Sequence, residues 1–282
     1  MTTTTTTTRY TAHGSGLSFR GLLVSEWIKL TSLRSTVWCY VIMSTLNIGL
    51  GVLLAISFQQ RPDATALLDQ GYWVQSATIA IAFSQLVVSV LGALVITGEY
   101  GTGMIRSTLT AVPKRLSALF SKAMVFGVVT FAVSLASIIT AAFLAQLILN
   151  SRGLNIDLAD GRAWSALTGG AVFLTLAGLI ALFLGTIVRN SAGGISAALG
   201  LIIVAPIVVQ IFAAVTRASW AQNVLEFLPS SAGTRMYGYV ATPAPNIPDV
   251  VVVDPAQGLL VMIAWVLFFG IIASLLLKRR DA

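Results

Sequence analysis

The chain has 282 residues, of which 56% are hydrophobic and only 10% charged, and its mean hydropathy is +0.89. A soluble domain ordinarily carries about a quarter of its residues as charges, so this composition excludes an ordinary soluble enzyme and describes a chain solvated mainly by lipid. The net charge of +7 is scattered among the flanks of apolar runs and not gathered in one stripe, which speaks for membrane topology and against nucleic acid as a partner.

Residues 1–16 form a Thr-rich tail, unbroken from Thr2 to Thr8. Such a segment buries too little apolar surface to order itself and is expected to be disordered. Over residues 17–36, Leu17, Leu22, Leu23, Trp27, Ile28 and Leu30 interleave with Arg20, Glu26, Lys29 and Arg34. The spacing predicts an amphipathic helix lying in the membrane interface, with Trp27 at the headgroup boundary. The alternative is a cytosolic extension of the first span, and the two differ by whether Ser35 and Thr36 mark a bend.

Six stretches then carry no charge at all: residues 35–60, 70–98, 123–151, 163–188, 190–216 and 255–277. A helix crosses a bilayer core with about 20 mostly apolar residues, and one central Asp, Lys or Arg costs about 2.5–3.5 kcal/mol on insertion. The stretches predict spanning helices over 37–58, 73–97, 123–149, 164–188, 192–215 and 258–277. The expected fold is an all-α membrane protein, one six-helix domain over 37–280. The first apolar run follows a long polar leader, so it is expected to remain as an anchor and not to be cleaved as a signal peptide.

With the N-terminus placed inside, most of the 17 Lys and Arg fall on inner flanks, and only Arg61, Arg152, Arg162, Arg217 and Arg235 lie outside. Positive residues are retained on the cytoplasmic side, so both termini are expected in the cytoplasm of a cell bounded by this membrane. The outer loop 150–163 holds Arg152, Asp157, Asp160 and Arg162, which cancel. The inner turn 189–191 is tight and makes the fourth and fifth spans neighbours. The outer segment 216–257 has helical spacing at Trp220, Val224, Phe227 and Leu228, then a break at Pro229. It is too short to span and reads as a re-entrant element dipping toward the outer leaflet. Pro243, Pro245 and Pro248 predict extended chain, and Val250 to Val253 a short strand or simple packing.

Parts for catalysis are missing. One histidine, His13, and one cysteine, Cys39, cannot make a metal centre, a disulfide or a serine–histidine pair. Cys39 reads as a small buried hydrophobe. No phosphate loop, HExxH or CxxC occurs. The spans show no ionisable residue, which argues against an ion-coupled carrier or proton pump. Their amides, Asn47, Gln85, Gln146 and Gln210, suit hydrogen bonding between helices. Ala192, Ser196 and Gly200, four apart, suit a close helix interface. Pro206 should kink the fifth span.

The inner segment 98–122 reads GEYGTGMIRSTLTAVPKRLSALFSK. Glu99 is expected to open a helix there, where a carboxylate meets the positive helix end. This segment resembles the first cytoplasmic loop of ATP-binding-cassette (ABC) type-2 permeases, E-Y-x-x-G-[ST]-[IL]-R-x-[ST]-L followed by proline and arginine, in the form common in actinobacteria. Glu99, Tyr100, Gly103, Ile105, Arg106, Thr108, Leu109, Pro113 and Arg115 match, and Met104 departs from the usual hydroxyl residue. Ser25 to Leu30 with Leu33 to Thr36 resembles the family's E-W-x-K-L…R-S-T connecting helix, and Phe227 to Gly233 (FLPSSAG) is a third match.

The resemblance implies an ABC type-2 permease fold and a division of labour. This chain would form the path for a drug, peptide or lipid, paired with a second permease (identical or different). ATP and magnesium would be bound by separate cytosolic ABC ATPase subunits, and no cofactor by the chain itself. It implies a bacterial plasma membrane. Coupling to the ATPase would use Glu99, Gly103, Arg106, Pro113 and Arg115, with Glu26, Trp27 and Lys29 on the connecting helix bracing the loop. Gln85, Ser89 and Gln210 would line the path, and Ala192, Ser196 and Gly200 would meet the second permease. A non-transporting sensor or immunity subunit of the same fold, a membrane-embedded enzyme and a facilitative channel remain as alternatives.

Overall fold

The computed structural model of the chain describes residues 18–58, 66–105, 115–239 and 251–279. The Thr-rich tail with His13, Arg106, Pro113 and the prolines 243, 245 and 248 lie outside these. Among the described residues all regular structure is helical, and six helices are long and apolar enough to cross a membrane. The charge gaps thus mark the spans, because the cost of burying a charge falls on the helix that carries it.

Helix α1 (Phe19–Ser32) is capped by Ser18, whose hydroxyl accepts from the Gly21 N–H, and it stops at Leu33, which is extended. The bend falls there, just ahead of Ser35 and Thr36, so α1 is a separate helix. Its Phe19, Val24, Trp27 and Ile28 are exposed while Glu26 and Leu30 are buried; an exposed apolar face beside a bundle suits the membrane interface.

The first span is α2 (Arg34–Ile56). The second comes in two pieces, α3 (Ala66–Thr78) and α4 (Ile81–Gly101), joined by a turn at Ile79 and Ala80. The third and fourth are α5 (Arg115–Ser151) and α6 (Gly161–Val188). The fifth is α7 (Ser191–Leu199), a π-helical turn (Gly200–Val204) and α8 (Ala205–Thr216). After α9 (Ser219–Glu226) and α10 (Pro229–Tyr237), α11 (Pro255–Arg279) is the sixth.

Three boundaries differ by four residues or more from the sequence expectation, among them the start of the second span, at Ala66 instead of 73. The second span runs through Glu99 to Gly101 instead of ending at 97, and the third starts at Arg115 instead of 123. The stretch between these two helices is therefore residues 102–114, of which 102–105 are described. Glu99 sits in the last turn of α4 and opens no helix. A carboxylate is unfavourable at that end of a helix, and the helix continues only because partners neutralise it.

The π-turn of the fifth span precedes Pro206. Proline has no N–H, and its ring crowds the carbonyl four residues back; a widened turn relieves both. Helix α6 is the centre, packing against α4, α5, α7, α10 and α11. Its most apolar stretch is 67% buried, against 17% for the fifth span and 11% for the sixth. The α4–α6 contact is backbone on backbone, since a Cβ at Gly92 would collide with the Gly178 carbonyl oxygen. In the segment after the fifth span, the chain turns at Leu228, with Pro229 opening α10. Helix α10 wedges between α6 and α11, burying Pro229, Ala232, Gly233 and Met236. Residues 251–254 form no strand; the Val251 N–H donates to Asn223 Oδ1 at 2.8 Å and Val253 is buried.

Polar groups within the spans clasp helices together. Asn47 of α2 is fully buried, donates to Ser137 Oγ of α5 at 2.9 Å and accepts from Ser84 Oγ of α4 at 2.7 Å. Tyr40 pairs with Thr130 at 2.8 Å, and Trp73 Nε1 donates to the Ala142 carbonyl at 2.8 Å. Cys39 is half-buried beside this packing. An Asn47→Leu variant is expected to lose about 0.6–2 kcal/mol, the usual worth of such bonds, read as a lowered unfolding midpoint in detergent.

Candidate functional site at the basic end of the bundle

The bundle end that holds Arg34, Arg115, Lys278 and Arg279 also holds a cluster of four charges drawn from three helices. Glu26 and Lys29 come from α1, Glu99 from the end of α4, and Lys122 from two turns inside α5. Lys122 Nζ donates to Glu26 Oε2 at 2.5 Å and to Glu99 Oε1 at 2.8 Å. Lys29 Nζ donates to Glu26 Oε1 at 2.9 Å and Glu99 Oε1 at 3.1 Å. The cluster is neutral as a set. Glu99, Lys122 and Glu26 are only 4%, 5% and 6% exposed, so each charge depends on the others for its solvation.

Sequence reasoning took Lys122 as a topogenic flank and found no ionisable residue in a span. Lys122 lies inside α5, and its signal in the sequence was the pair of acids, Glu26 and Glu99, carried by two other helices. The structure brings Glu26, Lys29 and Glu99 together. Glu99 turns its carboxylate inward, with Oε1 accepting from both Lys29 and Lys122. Trp27 points away from the cluster and is 52% exposed.

Burial alone would lower the Lys29 pKa, but hydrogen bonds and charge from Glu26 and Glu99 more than reverse it and hold it above the ordinary lysine value. A raised cation pKa gives stability that is complete below the unfolded value of about 10.4 and lost as pH rises through the folded one. The wild type should therefore lose unfolding temperature in strong alkali. Lys29→Met should show a shallower alkaline decline, measured by thermal scans from pH 7 to 11.

Tyr100, next to Glu99, reaches elsewhere. The Arg189 guanidinium carbon lies 5.4 Å from its ring centroid, a cation–π contact. Arg189 ends α6 in the left-handed region, with φ of 59°, and Asn190 caps α7 by accepting from the Gly193 N–H. Arg115 Nη1 approaches the Leu277 carbonyl of α11 at 3.4 Å, a cation at a helix C-terminus. Gly103 turns the chain after α4 with φ of 73°, a conformation that favours glycine. Together, the end of α4 and the start of α5 are tied to α1, to the α6–α7 turn and to α11. A cavity of about 10 Å³ lies between them, lined in part by Glu99, Tyr100, Arg115 and Lys122.

The other sequence-derived residues lie elsewhere in the bundle. Gln85 of α4 is half-buried, with Nε2 on the Ala82 carbonyl and a buried Oε1 that has no partner among the described residues. Ser89 is fully buried and its hydroxyl donates to the Gln85 carbonyl, so it reaches no open surface of this chain. Gln210 of α8 is exposed. On α7, Ala192 and Ser196 are exposed and Gly200 is half-buried, on the side away from buried Gly194 and Ala198. A Cβ at Gly194 would come within 3.1 Å of the Gly185 Cα, so that side is the one already packed.

At the opposite end, Gln70 exchanges two hydrogen bonds with the Asp157 backbone, and Arg152 donates to the Phe58 carbonyl at 2.7 Å. The Tyr239 hydroxyl donates to Asp160 Oδ2 at 2.7 Å and keeps the Asp160 pKa below its ordinary value. Glu226 and Arg235 form a two-pronged bridge between α9 and α10 at 2.7 and 3.0 Å, which raises the Arg235 pKa further.

Six spans, an interfacial helix before them and a neutral charge cluster at the basic end define an all-α permease-type membrane protein. Residues 22–206 match the family model described as ABC-2 family transporter protein, and the chain belongs to that family. The match covers all four cluster residues, Tyr100 and Arg189. Comparison with the curated proteins gives no match. The chain is thus a multi-pass membrane subunit of an ABC transporter, a class that works with an ATP-binding subunit.

Proposed function

We propose that this chain is the permease of an exporter for a hydrophobic or amphipathic compound (a drug, peptide or lipid), driven by ATP hydrolysed in a separate cytosolic subunit. It pairs with a second permease, in a bacterial plasma membrane, with both termini in the cytoplasm. The observation that carries this reading is the charge cluster. It ties the interfacial helix α1 and the ends of α4 and α5 into one unit, so a push on the short segment 102–114 would move all three together. Arg106 and Pro113 of that segment, and Gly103 and Arg115 at its edges, are the coupling positions. Glu99 serves by holding α4 to α1 and α5, with Glu26 and Lys29 as its brace.

The path runs beside α4 and α8, past Gln85 and Gln210, and the face of Ala192, Ser196 and Gly200 meets the second permease. The open fifth span supports this, since helices so little buried within one chain have room for a partner. Such a bistable arrangement responds to ATP only if ATP binding favours one state over the other.

Vesicles holding the permease and its ATPase should accumulate a fluorescent amphipathic cation on ATP addition. Arg106→Ala should lower ATPase stimulation while leaving membrane insertion intact. An absence of ATP-dependent uptake across a panel of hydrophobic compounds, with ATPase activity unaffected by any of them, would favour a sensing role and overturn the export reading.

A further inference from the structure

A groove of about 570 Å³ runs along α2, away from the proposed path, lined by Val37, Tyr40, Val41, Ser44, Thr45, Ile48 and Gly49 of α2 with Val133 of α5. Its volume is within the usual range of small-molecule sites, about 300–1,000 Å³. Its lining is apolar but for Ser44, Thr45 and the hydroxyl of Tyr40, which is already bonded to Thr130. Arg34, Val37, Val41, Thr45 and Ile48 recur at three- and four-residue spacing, so Arg34 stands on the groove's face of α2 at its end. Arg34 is exposed and makes no ion pair among the described residues. At about 1.5 Å per residue the groove's lining from Val37 to Gly49 extends about 18 Å, deeper than half a bilayer core of about 30 Å. At Gly49 a Cβ would meet nothing within 4 Å, so the groove stays open there. Helix α1 bends away at Leu33 and lays Trp27 and Ile28 outward at the same end, which sets that end at headgroup depth.

From this geometry we infer that the groove holds one acyl chain of an anionic phospholipid, whose phosphate pairs with Arg34. The charge argues for a lipid over a partner helix, because Arg34, with no ion pair among the described residues, sits where a headgroup phosphate lies and the apolar channel begins directly above it. The inference does not rest on the transport reading; it requires only that α2 spans the membrane.

The test uses the full chain, purified in mild detergent and examined by native mass spectrometry with phosphatidylglycerol or phosphatidylcholine of identical chains. The wild type should retain one lipid and favour phosphatidylglycerol by about fivefold, the effect of one basic residue at the membrane surface. Gly49→Phe should lose the retained lipid of either kind, and Thr45→Trp, which fills the groove from an exposed position, should do the same. Arg34→Gln should keep a lipid but lose the headgroup preference. Leu267→Phe, on the exposed face of α11, should change neither. The inference is overturned if both filling variants retain lipid as the wild type does, if Arg34→Gln keeps the preference, or if a polypeptide and no lipid leaves on filling the groove.

Discussion

A Lys122→Met variant is expected to lose about 3–5 kcal/mol of stability, the cost of removing one partner from a buried ion pair. The side chain is nearly isosteric, so packing is preserved and the loss comes from charge. Glu26 and Glu99 would be left facing each other with only Lys29, which is 26% exposed and bonds both. Glu26→Gln in the same background should cost less than it does alone, because the acid that it removes is by then poorly partnered. Contacting charges give such non-additivity, about 0.5–3 kcal/mol in a double-mutant cycle. The measurement is unfolding in detergent of the two single variants and the double variant. Additive losses, or a Lys122→Met midpoint equal to the wild type, would show that the cluster does not hold α1, α4 and α5 together. Under the proposed function the same variant should also uncouple ATP hydrolysis from transport more than it reduces binding of the ATPase.

The second large effect is expected at Gly92→Ala. One methyl group there runs into the Gly178 carbonyl oxygen, and 3.1 and 3.3 Å contacts to the Gly178 carbonyl carbon and the Leu182 nitrogen follow. Backbone cannot step aside as a side chain can, so α4 and α6 must separate. Overpacking costs about 1–3 kcal/mol in well-packed cores, and a central backbone contact belongs at the upper end. Gly49→Ala is the matched control: it adds the same methyl to open space and gains helix propensity of about 0.8–1.0 kcal/mol. Equal midpoints for the two variants would remove the argument that α4 and α6 meet through their backbones.

Span positions were legible because their physics is local. A residue's cost of entering lipid depends on its own charge and that of its neighbours in sequence, so six gaps in the charge pattern marked six helices. The same reading misjudged where two of those helices end. It stopped the second span at 97 and began the third at 123, treating Glu99 and Lys122 as boundaries. A charge ends a span only when nothing inside the bundle neutralises it, and here the neutralising groups are 23, 70 and 96 positions away in the chain. The family motif pointed to Glu99 and Tyr100 without revealing that they face different helices, one toward α1 and α5, the other toward the α6–α7 turn.

The sequence by itself determined that this is a six-span, all-helical membrane protein, since hydropathy is a property of the chain. Tertiary structure alone decided that Glu26, Lys29, Glu99 and Lys122 form one neutral cluster, that Ser89 is sealed inside, and that α10 wedges between α6 and α11. The reason is the same in each case: which side chains solvate one another depends on how helices far apart in the chain dock, which no local pattern records.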